Sequence, residues 1–593
     1  MKRSRFYIPY LIALLMAVLV GCEDSFLNET NYNKITSDDY YSTASGIKSG
    51  VNGLYGRLRY LYTTEAAVNM CDNNTDMFVP PMSTGYMKID PNTGFVRDFW
   101  NACYITINQC NAVIQALNNS NIVGLSDSLR IRYLGEARFI RAHHYDHLVK
   151  QFGDVPMPLT PSVGIVTTSR RVSSDSVWSQ IITDLQFAIK HLPSKYLPAE
   201  YGHITRHAAM QNMAKVLLTA RRTNLVSVQL ALNYVDTILN SRKYLLSNVN
   251  DLWDITKQRT PDVIQEVILP VLYSKDVILN GEGNKAHLFF VCAYSEQHSG
   301  VIRSIEYGRG WDRLKPTKYA YRMFLNPDMD NESQGELVDA RGVSWFRTNW
   351  NINREAGYVY SPIMYDPVLK VDRVVYQQTG SKAMMAAYWE FTPDDCKAVW
   401  PVWVYLPDSM KAVVGNNIQS LSKPNAKWPS NVKFFNHLMF PYLTKYLDPT
   451  RPDVNYEAGS KDVFVYRLAE TYLLAAEAAF LLGKTENAAN YLNMVRKRAE
   501  NDNPDMYDKM LITKEDVTAD FILDERGREL IGELNRWYDL KRFGKLEERM
   551  KWPDIYYDNP VTWYNYWLRP IPREQLLRIT NPQDFPQNPG YSN

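Results

Sequence analysis

The chain of 593 residues is poor in cysteine, with six in all and no Cys-x-x-Cys pair, so neither a disulfide framework nor a four-cysteine zinc site follows from it. It has almost no charge surplus, Lys+Arg 66 against Asp+Glu 64. A nucleic-acid binder needs a basic excess to displace counterions from phosphates, and that class is disfavoured. The G-x-S-x-G elbow, the G-x4-G-K-[ST] loop and the G-x-G-x-x-G fingerprint are all missing, which removes the commonest hydrolase, nucleotide and dinucleotide signatures. With 45% hydrophobic and 22% charged residues, low-complexity and collagenous readings are also excluded.

Long apolar runs are lacking too, except at the start. Lys2, Arg3 and Arg5 precede the run Ile8 to Val20, which is too short for a stable span and is followed at once by polar chain. Its end, Leu19-Val20-Gly21-Cys22, resembles the bacterial lipobox, so residues 1–21 read as a signal peptide and Cys22 as the lipidated new N-terminus, palmitate being among the expected acyl chains. Removing Lys2, Arg3 and Arg5 leaves 63 basic against 64 acidic side chains, a formal charge of −1. Glu23 and Asp24 directly after the cysteine resemble the surface-export signal of Bacteroidota lipoproteins, which implies the outer face of the outer membrane. Of the remaining cysteines, Cys71, Cys103, Cys110, Cys292 and Cys396, only Cys103 and Cys110 are close in sequence. Seven positions on a helix rise about 10 Å, too far for a bridge, and the thiols read as buried.

What is abundant is aromatic: 40 Tyr, 21 Phe and 14 Trp. Apolar residues recur at helical spacing from Phe99 through Cys103, Ile107, Cys110 and Ile114 to Leu117, with Asp98 as the expected N-cap. A second helix is predicted from Ser126 or Asp127 to Phe152, ending at Gly153 before Pro156. Further helical patterns cover roughly 173–191, 205–223, 226–242, 462–482, 485–500 and 516–543. The pair from Tyr466 to Glu500 turns at Gly483-Lys484 and places Ala476 and Ala488 where two antiparallel helices can approach, the logic of tetratricopeptide-like repeats. Residues 244–460 instead carry short apolar runs, many Pro, Gly and Asn, and a heavy load of Trp and Tyr. The expected fold is mostly α: a scaffold of tetratricopeptide-like repeats (about 98–243 and 461–545), a loop-rich insertion with short strands (about 244–460) and a tail (546–593).

Specific motifs then match a family. Cys22-x-x-Ser25-Phe26-Leu27, Trp100-x3-Tyr104 with Cys110-Asn111, Gly135-Glu136-Ala137-Arg138-Phe139-Ile140-Arg141-Ala142 and Phe152-Gly153-Asp154-Val155-Pro156 resemble the first half of SusD/RagB-like outer-membrane lipoproteins. Arg467-x2-Glu470-x-Tyr472-Leu473, Asn493-x2-Arg496-x-Arg498-Ala499, Glu525-Arg526-x2-Glu529-Leu530, Arg536-x2-Asp539-Leu540-x-Arg542 and Gln587-Asn588-Pro589-Gly590-Tyr591 resemble the second, in the right order. The resemblance implies one domain over residues 22–593. It also implies a non-catalytic, lipid-anchored protein that binds an oligosaccharide or polysaccharide and serves a SusC-like TonB-dependent transporter, with no cofactor, no metal and no nucleic acid. The alternatives are the same uptake role with a peptide or other cargo, and a glycoside hydrolase.

For the hydrolase, Glu525 with Glu529 and Glu470 with Glu477 are paired carboxylates on helices. Interleaved Arg467, Arg526, Arg536 and Arg542 point instead to ion pairs fixing helix to helix. His143 and His147 have the spacing of a zinc pair but no H-E-x-x-H arrangement and no evident third ligand. A neutral sugar stacks its C–H faces on aromatic rings and bonds its hydroxyls to polar neighbours. On that chemistry the candidate contacts are Asn74, Asp76, Phe78 and Tyr86; Tyr307, Arg309 and Trp311, where glycines would let backbone approach a ligand; and Trp345, Trp350 and Tyr358.

Overall fold

The computed structural model describes residues 40–592 except 81–88, 119–121, 163, 197, 242–243, 295–302, 318, 321–322, 325–338, 348, 352–362, 367–370, 375–383, 387–441, 500–509 and 553–566. Cys22 and Cys396 lie outside the described residues.

Polar caps start most of the scaffold helices. Thr43 Oγ1 accepts from Gly46 N at 3.2 Å ahead of α1 (Ala44–Leu58), and Thr64 does the same for α2 (Glu65–Cys71). Helix α3 (Gly94–Asn118) buries Phe99, Cys103, Ile107, Cys110, Ile114 and Leu117, the stripe that its periodicity predicts. It begins ahead of Asp98, which pairs with Arg97 at 2.8 Å and caps nothing. Ser126 caps α4 (Asp127–Phe152), which stops at Gly153 with φ +71°, a value glycine adopts freely. Ser173, Thr205 and Asn224 cap α5 (Ser174–His191), α6 (Arg206–Ala220) and α7 (Leu225–Asn240).

After the irregular region come α8 (Leu468–Leu481) and α9 (Thr485–Arg498). Gly483 N donates to Phe480 O and Lys484 N to Ala479 O, a Schellman turn that reverses the chain so that Ala476 and Ala488 are fully buried. The pattern over 516–543 is two helices, α10 (Ala519–Leu530) and α11 (Arg536–Arg542), since Ile531 turns extended and Gly532 and Leu534 take φ +76° and +57°. A side chain at Gly532 would sit 2.2 Å from Leu443. Consecutive helices pack from α3 to α7, α8 packs on α9 and α10, and α7 against α8 joins the two helical blocks.

Short strands fill the region between the blocks. The pairs are β1 (Phe78–Val79) with β3 (Lys315–Pro316), and β2 (Val267–Val271) with β10 (Val463–Arg467). They continue with β4 (Phe346–Arg347) and β9 (Tyr442–Leu443), β5 (Asn349–Asn351) and β8 (Met384–Ala386), and β6 (Ile363–Asp366) and β7 (Val371–Val374), all antiparallel. The start of the expected 462–482 helix is thus strand: Val463-Phe464-Val465-Tyr466 is β-branched and aromatic and buried on both faces.

Helix α4 is buried nearly all round from Tyr133 onward. Its polar side chains are therefore inside and paired: Arg141 forks onto Asp184 at 2.8 and 2.9 Å, and Lys150 reaches Asp146 at 2.6 Å. His143 lies 2.7 Å from the Tyr62 hydroxyl and 3.1 Å from that of Tyr466, and His147 lies 2.8 Å from that of Tyr538. His144 Nδ1 donates to Ile140 O at 2.7 Å. Cys71, Cys103, Cys110 and Cys292 are buried and form no disulfide with one another.

Burial pushes His143 and His147 well below the ordinary histidine value and brings His144 and His287 down to about 4. The unfolded chain then binds protons that the folded one refuses, so stability is lost as pH falls from about 6.5 toward about 4. Each such histidine contributes about 1.4 kcal/mol per pH unit in that window. Asp72, raised to about 7 by burial, works in the opposite sense and offsets one of them. Urea midpoints are expected to fall steadily below about pH 6.5, and His144→Gln should flatten the slope by about 1.4 kcal/mol per pH unit. An unchanged slope in that variant would contradict a neutral, buried His144.

Candidate ligand-binding face

The paired carboxylates that suggest a hydrolase are buried in ion pairs. Arg341 reaches Asp339 at 2.6 Å and both Glu525 and Glu529 at 2.8 Å. Arg467 reaches Glu529 at 2.5 Å, Glu533 at 2.8 Å and Glu266 at 3.1 Å, and Arg498 bonds Glu266 and Glu529. Glu470 meets Lys215 at 2.7 Å, and Glu477 meets Arg542 at 3.0 Å and also Arg222. Burial alone would raise Glu525 and Glu529, but the surrounding guanidiniums outweigh it and hold Glu525 well below, and Glu529 below, the usual carboxylate value. A glycosidase acid needs the opposite shift. His143 and His147 spend ring nitrogens on tyrosines, and no metal-holding group of His, Cys, Asp or Glu occurs among the described residues.

Of the candidate contacts, Asn74, Asp76, Phe78, Tyr307 and Trp345 have their side chains inside the protein. Asp76 is gripped by Arg536 through two bonds of 2.6 Å. Phe78 pairs in β1 and sets its ring 5.4 Å from Phe290. Tyr307 meets Tyr294 edge to face at 5.8 Å, and its carbonyl accepts from Tyr442. Trp345 lies under the Lys445 ammonium, 3.8 Å from the ring centroid, and donates to Val249 O at 3.4 Å. These five hold the fold together. Tyr86 and Tyr358 lie outside the described residues, as does the side chain of Trp350, whose backbone sits in β5.

Two candidates remain at the surface on one loop. The segment Gly308–Arg313 is pinned to the chain beneath it: Trp311 N donates to Leu288 O at 2.8 Å, Asp312 N to Val291 O at 3.2 Å and Arg313 N to Phe289 O at 3.0 Å. The glycines serve this approach rather than that of a ligand. A side chain at Gly310 would come 2.2 Å from Cys292 O, and Gly308 has φ +78° with Leu447 2.8 Å from where a Cβ would stand. The half-buried Trp311 indole braces edge-on against buried Phe289 at 5.9 Å. Arg313 flanks it, bonding Glu65 at 2.8 Å, and Arg309 bonds Glu457 at 2.6 Å and Asn455 O at 2.5 Å. Arg303 joins the strip by donating to the Asn455 amide oxygen at 2.9 Å. The result is an aromatic face on a rigid base, edged by guanidinium, carboxylate and amide groups. Sequence reasoning missed Glu65, Asn455 and Glu457, which come from other parts of the chain and carry no local signal.

The family model described as "SusD family" matches residues 265–591, and one described as "Starch-binding associating with outer membrane" matches residues 25–218. SusD-like protein P25 of Formosa agariphila is 25% identical over 546 residues, covering 89% of this chain and 88% of the relative. The starch-binding protein SusD of Bacteroides thetaiotaomicron is 23% identical over 486 residues, covering 79% and 74%. Among solved structures, surface glycan-binding protein A from Bacteroides thetaiotaomicron, in complex with laminarihexaose, superposes with a TM-score of 0.61 at 19% identity, over 93% of this chain and 100% of its own.

The contrast between the two tryptophans is measurable. Trp345→Ala is expected to cost about 3–5 kcal/mol of stability in urea unfolding, and Trp311→Ala less than about half of that. Equal losses would contradict the half-buried placement of Trp311.

Proposed function

Because the chain belongs to the SusD family, we propose that it is a lipid-anchored cell-surface protein that captures a glycan and delivers it to a SusC-like TonB-dependent transporter. In this reading residues 22–593 act as one unit, Cys22 carries the anchor in the outer membrane, and no bond of the ligand is made or broken. The observation that carries the ligand class is the Trp311 face: an indole held by backbone bonds and by Phe289, with the Arg313 guanidinium 5.9 Å from its centroid and bonded to Glu65, and Arg309 on the same loop bonded to Asn455. A sugar ring offers C–H bonds to such a face and hydroxyls to such an edge. The formal charge of the mature chain, near zero, suits an uncharged glycan. Trp350 and Tyr358 remain proposed as further contacts.

Two relatives bear on which glycans to try, since one is named for starch and another was solved with laminarihexaose. Calorimetry of the full chain against α- and β-linked glucan oligosaccharides, other neutral glycans and a peptide panel tests the reading. Saturable binding of a neutral oligosaccharide is expected, weakened at least about fivefold by Trp311→Ala, the equivalent of about 1 kcal/mol. Incubation with the same glycan should release no product. Unaltered affinity in Trp311→Ala removes the site, binding of peptides alone removes the ligand class, and product formation abolished by one carboxylate substitution establishes the hydrolase instead.

A further inference from the structure

A cleft of about 730 Å³ opens between the end of α4, the start of α5, α11 and the C-terminal tail, remote in sequence from the Trp311 loop. Its volume lies within the range usual for small-ligand sites. Four cations line it, Lys150, Arg171, Lys541 and Arg542, against two acids, Asp154 and Asp584. Lys150 is neutralised by Asp146 at 2.6 Å, and Arg542 by Glu477 at 3.0 Å and Asp539 at 2.8 Å. The acids accept from neutral donors, Asp154 from Ser174 N at 2.7 Å and Asp584 from the Asn581 amide at 3.0 Å, and Asp154 also attracts the Arg171 guanidinium.

That leaves Arg171 and Lys541, neither of which forms an ion pair among the described residues. Arg171 donates to the carbonyls of Pro586 at 2.7 Å, Asp154 at 2.8 Å and Phe152 at 3.3 Å, and to Asn588 Oδ1 at 2.5 Å. All four acceptors are uncharged, and one of its five N–H groups is left over. Lys541 donates once, to Lys150 O, and lies 4.9 Å from the centroid of Trp537, a ring that Arg569 also covers at 4.7 Å. Two of its three hydrogens are left for another acceptor. Burial, then Arg569 and Lys150, bring Lys541 down to about 7. A half-buried ammonium with no ion pair among the described residues and two unused hydrogens is open to an acceptor, and an entering oxyanion supplies one.

We propose that this cleft is a second binding site, for a small ligand carrying a carboxylate or sulfate group, with Lys541 as its principal counter-charge and Arg171 adding to the field. The open rim at Ser174, Asp584 and Pro586 admits such a ligand from solvent.

Calorimetry of the full chain with glucuronate, with inorganic sulfate and with glucose, at matched ionic strength, tests it. Saturable 1:1 binding of an anion is expected, with none for glucose. Glucuronate alone identifies a sugar acid, and sulfate binding equally well identifies a site for the free oxyanion. Lys541→Gln should weaken binding at least tenfold with little change in unfolding midpoint, while Trp311→Ala leaves it unchanged, which separates this site from the glycan face. Reductive methylation of Lys541 in the unaltered chain, read by peptide mass spectrometry, should be slowed at least fivefold by the bound anion and not by glucose. This readout stands even where the variant does not fold. No saturable anion binding, equal binding by Lys541→Gln or equal labelling of Lys541 would overturn the proposal.

Discussion

The structure depends on a buried lattice of guanidinium and carboxylate groups around Arg467, Arg341, Glu529 and Glu266. Arg467 and Glu266 come from the ends of β10 and β2, Arg341 from the loop-rich region, and Glu529 from α10. Lys445 extends the lattice to Glu533 at 2.6 Å, so the chain on both sides of the irregular region is tied by charge to the second helical block. Such groups are expensive to desolvate, and removing one partner leaves an uncompensated charge at a cost of about 3–5 kcal/mol. The lattice therefore fixes geometry more than it adds net stability. Apolar packing of Phe290 in the main core and hydrogen bonds such as those of Tyr273 to Thr63 and of Tyr319 to Asp524 add to that hold.

That constraint decides which residues are available to a ligand. Carboxylates held ionised by three or four cations do not serve as proton donors, and the buried ion pairs occupy them, so the glutamates most conspicuous in the sequence belong to the framework. Aromatics caught between the lattice and the helices, Trp345 under Lys445 and Trp253 beside Phe464, are framework as well. Trp311 escapes because its loop is stitched down by backbone bonds at 288–291, which leaves the side chain half out. Lys541, half-buried on the cleft, differs from its neighbours Lys150 and Arg542: they meet carboxylates, while it donates to a carbonyl and lies against the Trp537 ring.

Much of the scaffold was legible in the sequence because helical burial has a period that one chain displays. The stripe from Phe99 to Leu117 and the Gly483 turn are local signals, and the structure follows them. Helix α4 is harder to read: from Tyr133 on it is buried nearly all round, and its charges are answered by residues such as Asp184 on α5 that no local pattern reveals. The strand Val463–Arg467 reads equally well as the first turn of a helix until β2 is known to lie beside it. For the site, Trp311 and Trp345 look alike in sequence. What separates them is tertiary packing: Val249 and Lys445 close over the Trp345 ring, whereas the half-buried Trp311 ring meets Phe289 at an edge and the exposed Arg313 guanidinium 5.9 Å from its centroid.

In the proposed function a rigid, charge-locked framework presents Trp311 to a sugar and makes or breaks no bond of it. The most direct measurement is a crystal structure of the chain with whichever neutral oligosaccharide binds it. An intact saccharide is expected, with one ring lying flat on the Trp311 indole and its hydroxyls bonded to side chains such as Arg309, Arg313 or Asn455. A saccharide seated elsewhere with Trp311 untouched, or one cleaved beside Glu525 and Glu529, would contradict it.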